Sequence, residues 1–151
     1  MQYDPTDLEA PQPLARFLIV LFRAFEEEVL HRLAAQGYRD IAPTHLNALR
    51  HVSTSGSRMV DMARHAGITK QAMHKTVSDL ETKGYLLVGM DQEDRRARLV
   101  RFSKKGEKLL LCLIAVIGDI EQEYEKVLGA RGLSSMRNAA KKLVTHHRNH
   151  P

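Results

Sequence analysis

Apolar residues recur at steps of three and four along the first part of the chain, which predicts a long amphipathic helix. The repeat starts at Pro11 or Pro13 and should stop near Gly37. Its apolar stripe consists of Leu14, Phe17, Leu18, Leu21, Phe22, Phe25, Val29, Leu30 and Leu33. Because the stripe is broad, we expect this helix to be buried against more than one neighbour.

Two short helices are predicted next along the chain. One begins at Pro43 and ends at the polar break 53–57, with Leu46, Leu49 and Val52 as its inner face. The other covers residues 58–66, and its predicted inward residues are Met59, Val60, Met62 and Ala63.

A tight turn is predicted between this third helix and a fourth. Gly67 stands where a left-handed residue ends a helix, and Ile68 follows as the usual apolar contact. Thr69 can cap the fourth helix, which should run to about Lys83 and end at Gly84. Helices joined by so short a turn cross steeply, as in a helix-turn-helix.

After Gly84 the apolar period changes to two, which predicts a β-hairpin. Its strands should cover residues 85–90 and 97–102, joined by the polar turn 91–96. This turn is long and charged, so we expect it to project from the domain as a loop.

The last part of the chain is predicted to form two more helices. Ser103 should cap a helix from Lys104 to about 128, followed by breaks at Gly129 and Gly132 and a final helix over 133–147. The middle of the first of these helices, 109–117, is apolar on every side. Such a helix must be covered on all sides, here by its own domain and by another subunit.

The order of these elements predicts a mainly α fold with a small β-wing. It is a winged helix-turn-helix flanked by long N- and C-terminal helices that we expect to form a dimer. The predicted parts are an arm and helix (1–36), a DNA-binding lobe (37–104) and the C-terminal helices (105–151), with residues 1–10 as a loose acidic arm.

The amino-acid composition limits the classes of protein to which the chain can belong. The 151 residues are 43% hydrophobic and 27% charged, which suits a folded domain with additional helices. The single cysteine, Cys112, excludes an internal disulfide framework and a cysteine-rich zinc module. The longest apolar run is too short for a bilayer span, and the acidic N-terminus is unlike a signal peptide. We therefore expect a cytoplasmic protein with no membrane partner.

Charge points to a polyanionic partner. The formal net charge is +5, and residues 54–106 account for all of it, with 11 Lys or Arg against 6 Asp or Glu. Within this segment, residues 95–105 contain six basic side chains and no acid. A solvated charged loop is the alternative interpretation of this run taken alone, but its neighbours favour nucleic acid.

The predicted fourth helix has a face suited to reading DNA. Met73, Val77 and Leu80 share one side and should pack on the third helix. The candidate DNA-binding residues are Thr69, at the start of the helix, and five residues on the other side. These five are Lys70, Gln71, His74, Lys75 and Ser78. Several could reach base edges or phosphates in a major groove. Since Asp79 carries the wrong sign, we expect the N-terminal half to be inserted. An ordinary amphipathic surface helix is the alternative.

The predicted wing supplies a second set of candidates. Arg95, Arg96 and Arg98 lie at or beside its tip, where a guanidinium can pair with phosphate or enter a narrow minor groove. Asp94 should hold one of these arginines in a fixed orientation.

Three segments resemble the MarR family of bacterial transcription regulators. They are 59–69 (MVDMARHAGIT), 79–86 (DLETKGYL) and 91–106 (DQEDRRARLVRFSKKG), and the resemblance extends over residues 42–110. The wing motif Asp94-Arg95-Arg96-Ala97 is its most specific part. The resemblance implies an obligate homodimer formed by the terminal helices, a palindromic operator in double-stranded DNA, repression, and release by a small aromatic or other effector. Many members carry arginine at the positions of Val88 and Gly89, so the wing here should grip the backbone less.

The sequence gives only weak indications of an enzyme, a metal site or a reactive cysteine. No motif of an enzyme is present, so we predict a non-enzyme without a cofactor. The histidines lack the spacing of a metal site, and Cys112 should be a buried small hydrophobe with a raised pKa. An effector pocket would draw on Arg16, Tyr38, His45 and Arg50, each of which also suits a surface or capping role. A winged-helix module that binds acidic proteins and a metal-responsive regulator are the alternative functions.

Overall fold

A computed structural model of the chain describes residues 13–90 and 98–149. In this part of the chain the elements are α1 (Leu14–Ala35), α2 (Pro43–Leu49), β1 (Ser57–Arg58), α3 (Met59–Ala66), α4 (Lys70–Thr82), β2 (Leu86–Met90), β3 (Arg98–Phe102) and α5 (Lys104–Asn149). The predicted fold class, mainly α with a small β-wing, is confirmed. The described residues form two compact units, one up to Leu113 and one from Ile114 onward. The predicted boundaries at 36/37 and 104/105 stay predictions.

The helix-turn-helix is built by the local signals that the sequence predicts. Gly67 adopts the left-handed conformation at φ 66°, and the Ile68 N–H donates to the Ala63 carbonyl at 3.1 Å. The Thr69 hydroxyl oxygen then accepts the Ala72 N–H at 3.1 Å and caps α4. α3 packs against α4, and α2 packs against both helices. These contacts define the orientation of α4 in the first unit.

One predicted inward residue of α3 is wrong. Val60 is 54% exposed, whereas Met62 and Ala63 are buried. At about 100° per residue, Val60 lies roughly 110° from the centre of the buried face, too far round the helix to reach the core.

The wing is a three-stranded antiparallel sheet with strand order β1-β3-β2. In the β2–β3 hairpin, Leu86 pairs with Phe102 and Met90 with Arg98. The strand β1 was not predicted, because two residues are too few to show an alternating pattern. It follows the polar break after α2 and pairs Ser57 with Val100.

Ser103 caps the start of α5, as predicted. Its hydroxyl oxygen accepts the Gly106 N–H at 3.0 Å, while its hydroxyl group donates to the Gly84 carbonyl at 2.6 Å. Of the all-apolar segment, Leu109, Leu113 and Val116 are buried, but Leu111 and Ile114 are 68% and 58% exposed. A single chain therefore leaves part of this segment uncovered.

Helix α5 is interrupted at Gly129, whose backbone is not helical (φ 70°, ψ 159°). Arg137 pairs with Glu121 at 2.9 Å, although 16 residues of straight helix would span about 24 Å, so the chain bends sharply between them. The predicted break at Gly132 is wrong, since that residue lies within the helix that resumes after Gly129. No helix among the described residues is long and apolar enough to cross a membrane.

Candidate nucleic-acid interface

The buried face of α4 is the one that the sequence predicts. Met73, Val77 and Leu80 are each 0% exposed. Full burial of three side chains spaced four and three apart fixes the rotation of the helix about its axis. The opposite face must then point to solvent.

The structure brings the α4 candidates together on this exposed face. The exposed residues are Thr69, Lys70, Gln71, His74, Lys75 and Ser78. They supply ammonium, amide, imidazole and hydroxyl groups, which are the donors and acceptors that read base edges and phosphates. The hydroxyl groups of Thr76 and Thr82, by contrast, donate to backbone carbonyls within the helix at 3.1 and 2.9 Å. Their donor protons are therefore already used.

A groove of about 790 Å³ runs beside this face of α4. Its walls include His74, Lys75 and Ser78 from α4, and Thr44 and His45 from α2. Thr44 is thus a neighbour of the predicted interface that the sequence did not single out. Only the packing of α2 on α4 reveals it.

Asp79 is engaged in two contacts at the far end of α4. Its Oδ2 accepts from the Lys83 ammonium, and it lies 2.7 Å from His45 Nε2. These two hydrogen bonds, that of Lys83 first, lower the pKa of the Asp79 carboxyl despite an opposing desolvation effect, so it is ionised near neutral pH. The carboxylate therefore has a structural partner on each side.

His45 links the start of α2 to α4. Its Nδ1 accepts the Ala42 N–H at 3.0 Å, so this nitrogen carries no proton. The proton of a neutral imidazole is then on Nε2, where it donates to Asp79. His45 is only 6% exposed. The sequence suits His45 to either an effector pocket or a capping role, and this geometry shows the capping role.

The wing candidates are described only in part. Arg98 begins β3 opposite Met90 and is exposed. Asp94, Arg95 and Arg96 lie outside the described residues. In β2, the Val88 N–H donates to Glu81 Oε1 at 3.2 Å.

Two of the other residues considered for an effector pocket, Arg50 and Tyr38, already contact neighbouring side chains. Arg50 pairs with Glu26 at 3.0 Å and lies over the Phe22 ring, while the Tyr38 ring packs on Tyr85. Arg16 Nε is buried without a hydrogen-bond partner among the described residues.

The described part of the chain shows no cluster of side chains that indicates a reactive cysteine or a metal site. Cys112 is half-buried, and burial raises the pKa of its thiol, as expected. Residues 13–90 and 98–149 contain no group of three or more His, Cys, Asp or Glu side chains placed to hold a metal ion.

A capped helix with an exposed donor face, preceded by a packed partner helix and followed by a β-hairpin, defines a winged helix-turn-helix protein. The sequence profile of the MarR family matches residues 39–97. Over these 59 of the 151 residues, which include α2 to α4 and β2, the chain is similar to the MarR family.

Solved structures show the same fold over nearly the whole chain. The transcriptional regulator Tm0710 from Thermotoga maritima is 25% identical, covering 92% of this chain and 97% of that one, with a TM-score of 0.60. MarR from E. coli in its apo form is 19% identical, with coverages of 88% and 97% and a TM-score of 0.71. The regulator BldR from Sulfolobus solfataricus is 22% identical, with coverages of 88% and 93% and a TM-score of 0.71.

Proposed function

We propose that this protein is a homodimeric repressor that binds a palindromic operator, with α4 in the major groove. The observation that carries the proposal is that Lys70, Gln71, His74 and Lys75 of α4 are exposed, while Met73, Val77 and Leu80 of the same helix are fully buried. A helix held this firmly can present its side chains to base edges in one fixed orientation. The protein would act in the cytoplasm of a bacterial cell.

The distribution of positive charge along the chain supports the same placement of α4 against DNA. All of the net charge of +5 falls within residues 54–106, which include α4 and the wing. Arg98 is exposed at the end of the hairpin next to the turn, and we infer that Arg95 and Arg96 extend this cationic surface to phosphate or the minor groove.

Exposed apolar side chains support the dimer. In the first unit, α1 leaves Leu14, Leu18 and Phe22 at 61%, 48% and 49% exposure. The second unit leaves Val127 and Val144 at 82% and 53% exposure. Large apolar side chains gathered on terminal helices are typical of a surface that another subunit covers.

Selection of bound sequences from random duplex DNA tests the operator directly. We expect a palindrome whose half-site centres lie about 10 bp apart, one turn of the double helix. Recovery of sequences with no shared motif at physiological salt would contradict the proposal, and would favour a module that binds acidic proteins.

Variants of the two surfaces separate base reading from phosphate contact. Gln71→Ala should change the preferred base at one operator position, whereas Arg96→Ala should weaken binding to all sequences and reduce the salt slope by about one unit. The matched control is Lys141→Ala, an exposed cation of α5 outside the proposed interface, which should leave both quantities unchanged. Equal losses on every sequence for Gln71→Ala would mean that it contacts phosphate only.

Sedimentation of the whole chain at micromolar concentration tests the dimer. We expect the unaltered protein to sediment as a dimer and Leu18→Glu to shift it to the monomer, because a charge would then replace an apolar contact. Val60→Glu, which changes an equally exposed apolar residue on α3, should remain dimeric. A monomeric unaltered protein would refute the symmetric mode of binding.

A further inference from the structure

A second cavity lies in the first unit. None of the described residues that line it belongs to α4. It has a volume of about 680 Å³ and is bounded by the turn after α2, by α3 and by β3. We call it the α3–β3 cavity. The side chains that matter here are His51, Asp61, Met62, His65, Leu99 and Arg101.

Groups that carry or can carry positive charge converge on this cavity. The Arg101 guanidinium projects from β3 and makes no hydrogen bond or ion pair with the described residues, while His51 lies in the turn after α2 and His65 lies in α3. Arg58 also lines the cavity. Among the described lining residues the one carboxylate is that of Asp61, which is paired with Arg64 at 2.7 Å. Among the described residues, the cavity lining therefore contributes more cationic than acidic groups.

The His65 imidazole lies beside the His51 ring and disfavours protonation of His51. Their centroids are 6.2 Å apart and their planes are inclined by 35°. Burial, with smaller effects of His65 and Arg50, lowers the pKa of His51. An anion in the cavity would offset this repulsion and favour the protonated imidazole.

Glycine at position 56 makes room for the cationic side chain. A Cβ atom there would meet Arg101 Cγ and Leu99 Cγ at 3.0 Å. Gly56 also has a φ of 100°, a conformation that glycine adopts at little cost. The stem of Arg101 thus lies across the turn and brings its guanidinium to the wall of the cavity.

We propose that the α3–β3 cavity binds a small organic oxyanion, whose carboxylate or phosphate group is held by Arg101 with the imidazoles of His51 and His65. The volume is in the range of small-molecule sites and far exceeds one inorganic ion. Met62 and Leu99 supply an apolar wall for the rest of the ligand. A guanidinium is the side chain best suited to either oxyanion, because it offers paired N–H donors in one plane.

Such a ligand would touch both halves of the DNA-binding lobe. α3 packs against α4, and β3 leads from the wing back to the cavity. Bound anion would therefore fix the position of the wing relative to α4 and alter operator affinity. This regulatory consequence rests on the proposed function, whereas anion binding itself does not.

The test is a titration of the whole chain, without DNA, followed by the NMR signals of the histidine imidazoles. The probes are hexanoate, hexyl phosphate, inorganic phosphate and neutral hexanol. We expect saturable shifts of the His51 and His65 signals with one or both organic anions, and none with hexanol. The bound anion should also raise the pKa of His51. Comparison of hexanoate with hexyl phosphate identifies the preferred headgroup.

Variants decide whether the cavity is responsible. Arg101→Met should weaken binding about tenfold, the loss expected when one charge-assisted contact is removed. His65→Gln should weaken it as well, and Arg131→Met, which changes an exposed arginine outside the cavity, should not. Circular dichroism confirms that each variant is folded.

Four results would overturn the inference. Hexanol could shift the imidazole signals as strongly as the anions do, which would exclude recognition of the charged headgroup. Inorganic phosphate could bind as tightly as hexyl phosphate, which would indicate an adventitious ion only. Binding unchanged in Arg101→Met would exclude the cavity. If no probe binds but Arg101→Met weakens DNA binding, the arginine contacts the nucleic acid instead. Failure to select an operator would leave the NMR result intact, so the two proposals fail separately.

Discussion

Gly106 lies where the first turn of α5 meets the backbone at the start of the wing, and replacing it by alanine should destabilise the lobe. A Cβ atom at this position would be 2.0 Å from the Tyr85 carbonyl oxygen and 3.1 Å from Phe102 Cδ1. Tyr85 cannot easily move away, because it is 2% exposed and its hydroxyl donates to Asp40 at 2.8 Å. The same carbonyl also accepts the Ser103 N–H at 3.0 Å.

The expected cost follows from these distances. Overpacking of a dense interior costs about 1–3 kcal/mol, and the upper end applies here because the obstructing atom belongs to the backbone. The better helix propensity of alanine offsets up to about 1 kcal/mol. We therefore expect Gly106→Ala to lose about 2 kcal/mol of unfolding free energy, or about 4–8 °C in Tm.

Urea unfolding followed by circular dichroism measures this difference, at one fixed protein concentration because subunit association would contribute. Gly118→Ala is the matched control in the same helix, since no atom lies within 4 Å of the Cβ it would add. That variant should be unchanged or more stable by up to about 1 kcal/mol. Equal unfolding free energies for the two variants would refute the close approach of α5 to Tyr85.

Three further predictions concern stability. Thr69→Ala removes the cap of α4 and should cost about 1 kcal/mol in urea unfolding, while Thr69→Ser should restore it; equal loss in both would exclude the cap. Leu80→Ala should cost about 2–5 kcal/mol and Val60→Ala less than about 0.5 kcal/mol; similar values would contradict their burial. Because the folded-state pKa of His51 is lowered, stability should fall as pH drops below about 6.5 through that lowered pKa, and less so in His51→Gln; parallel pH profiles would exclude His51.

A double-mutant cycle tests the link between α2 and α4. His45→Gln keeps an acceptor for the Ala42 N–H but shortens the reach to Asp79, whereas His45→Phe removes both hydrogen bonds at similar volume. We expect the effects of His45→Gln and Asp79→Asn on operator affinity to be non-additive, because the two side chains share one hydrogen bond. Additive effects would mean that the contact does not position α4.

Local chemistry explains which elements the sequence predicts well. The left-handed Gly67, the Thr69 cap and the buried trio on α4 each depend on residues within seven positions of one another, so their spacing can be read directly. The strand β1 was missed for the opposite reason, since it exists only through its pairing with β3, far along the chain. The exposure of Val60 follows from its angular position on α3, once the face that meets the core is known.

The amino-acid sequence by itself determined the succession of helices and hairpin, the segment that carries the positive charge and the face of α4 that meets solvent. These follow from periodicity, capping and composition, which act along a continuous stretch of chain. Only the tertiary structure brought His45 to Asp79, and His51 and His65 to Arg101. Spacing along the sequence says little about distance across a packed lobe, because that distance depends on how helices and strands cross one another.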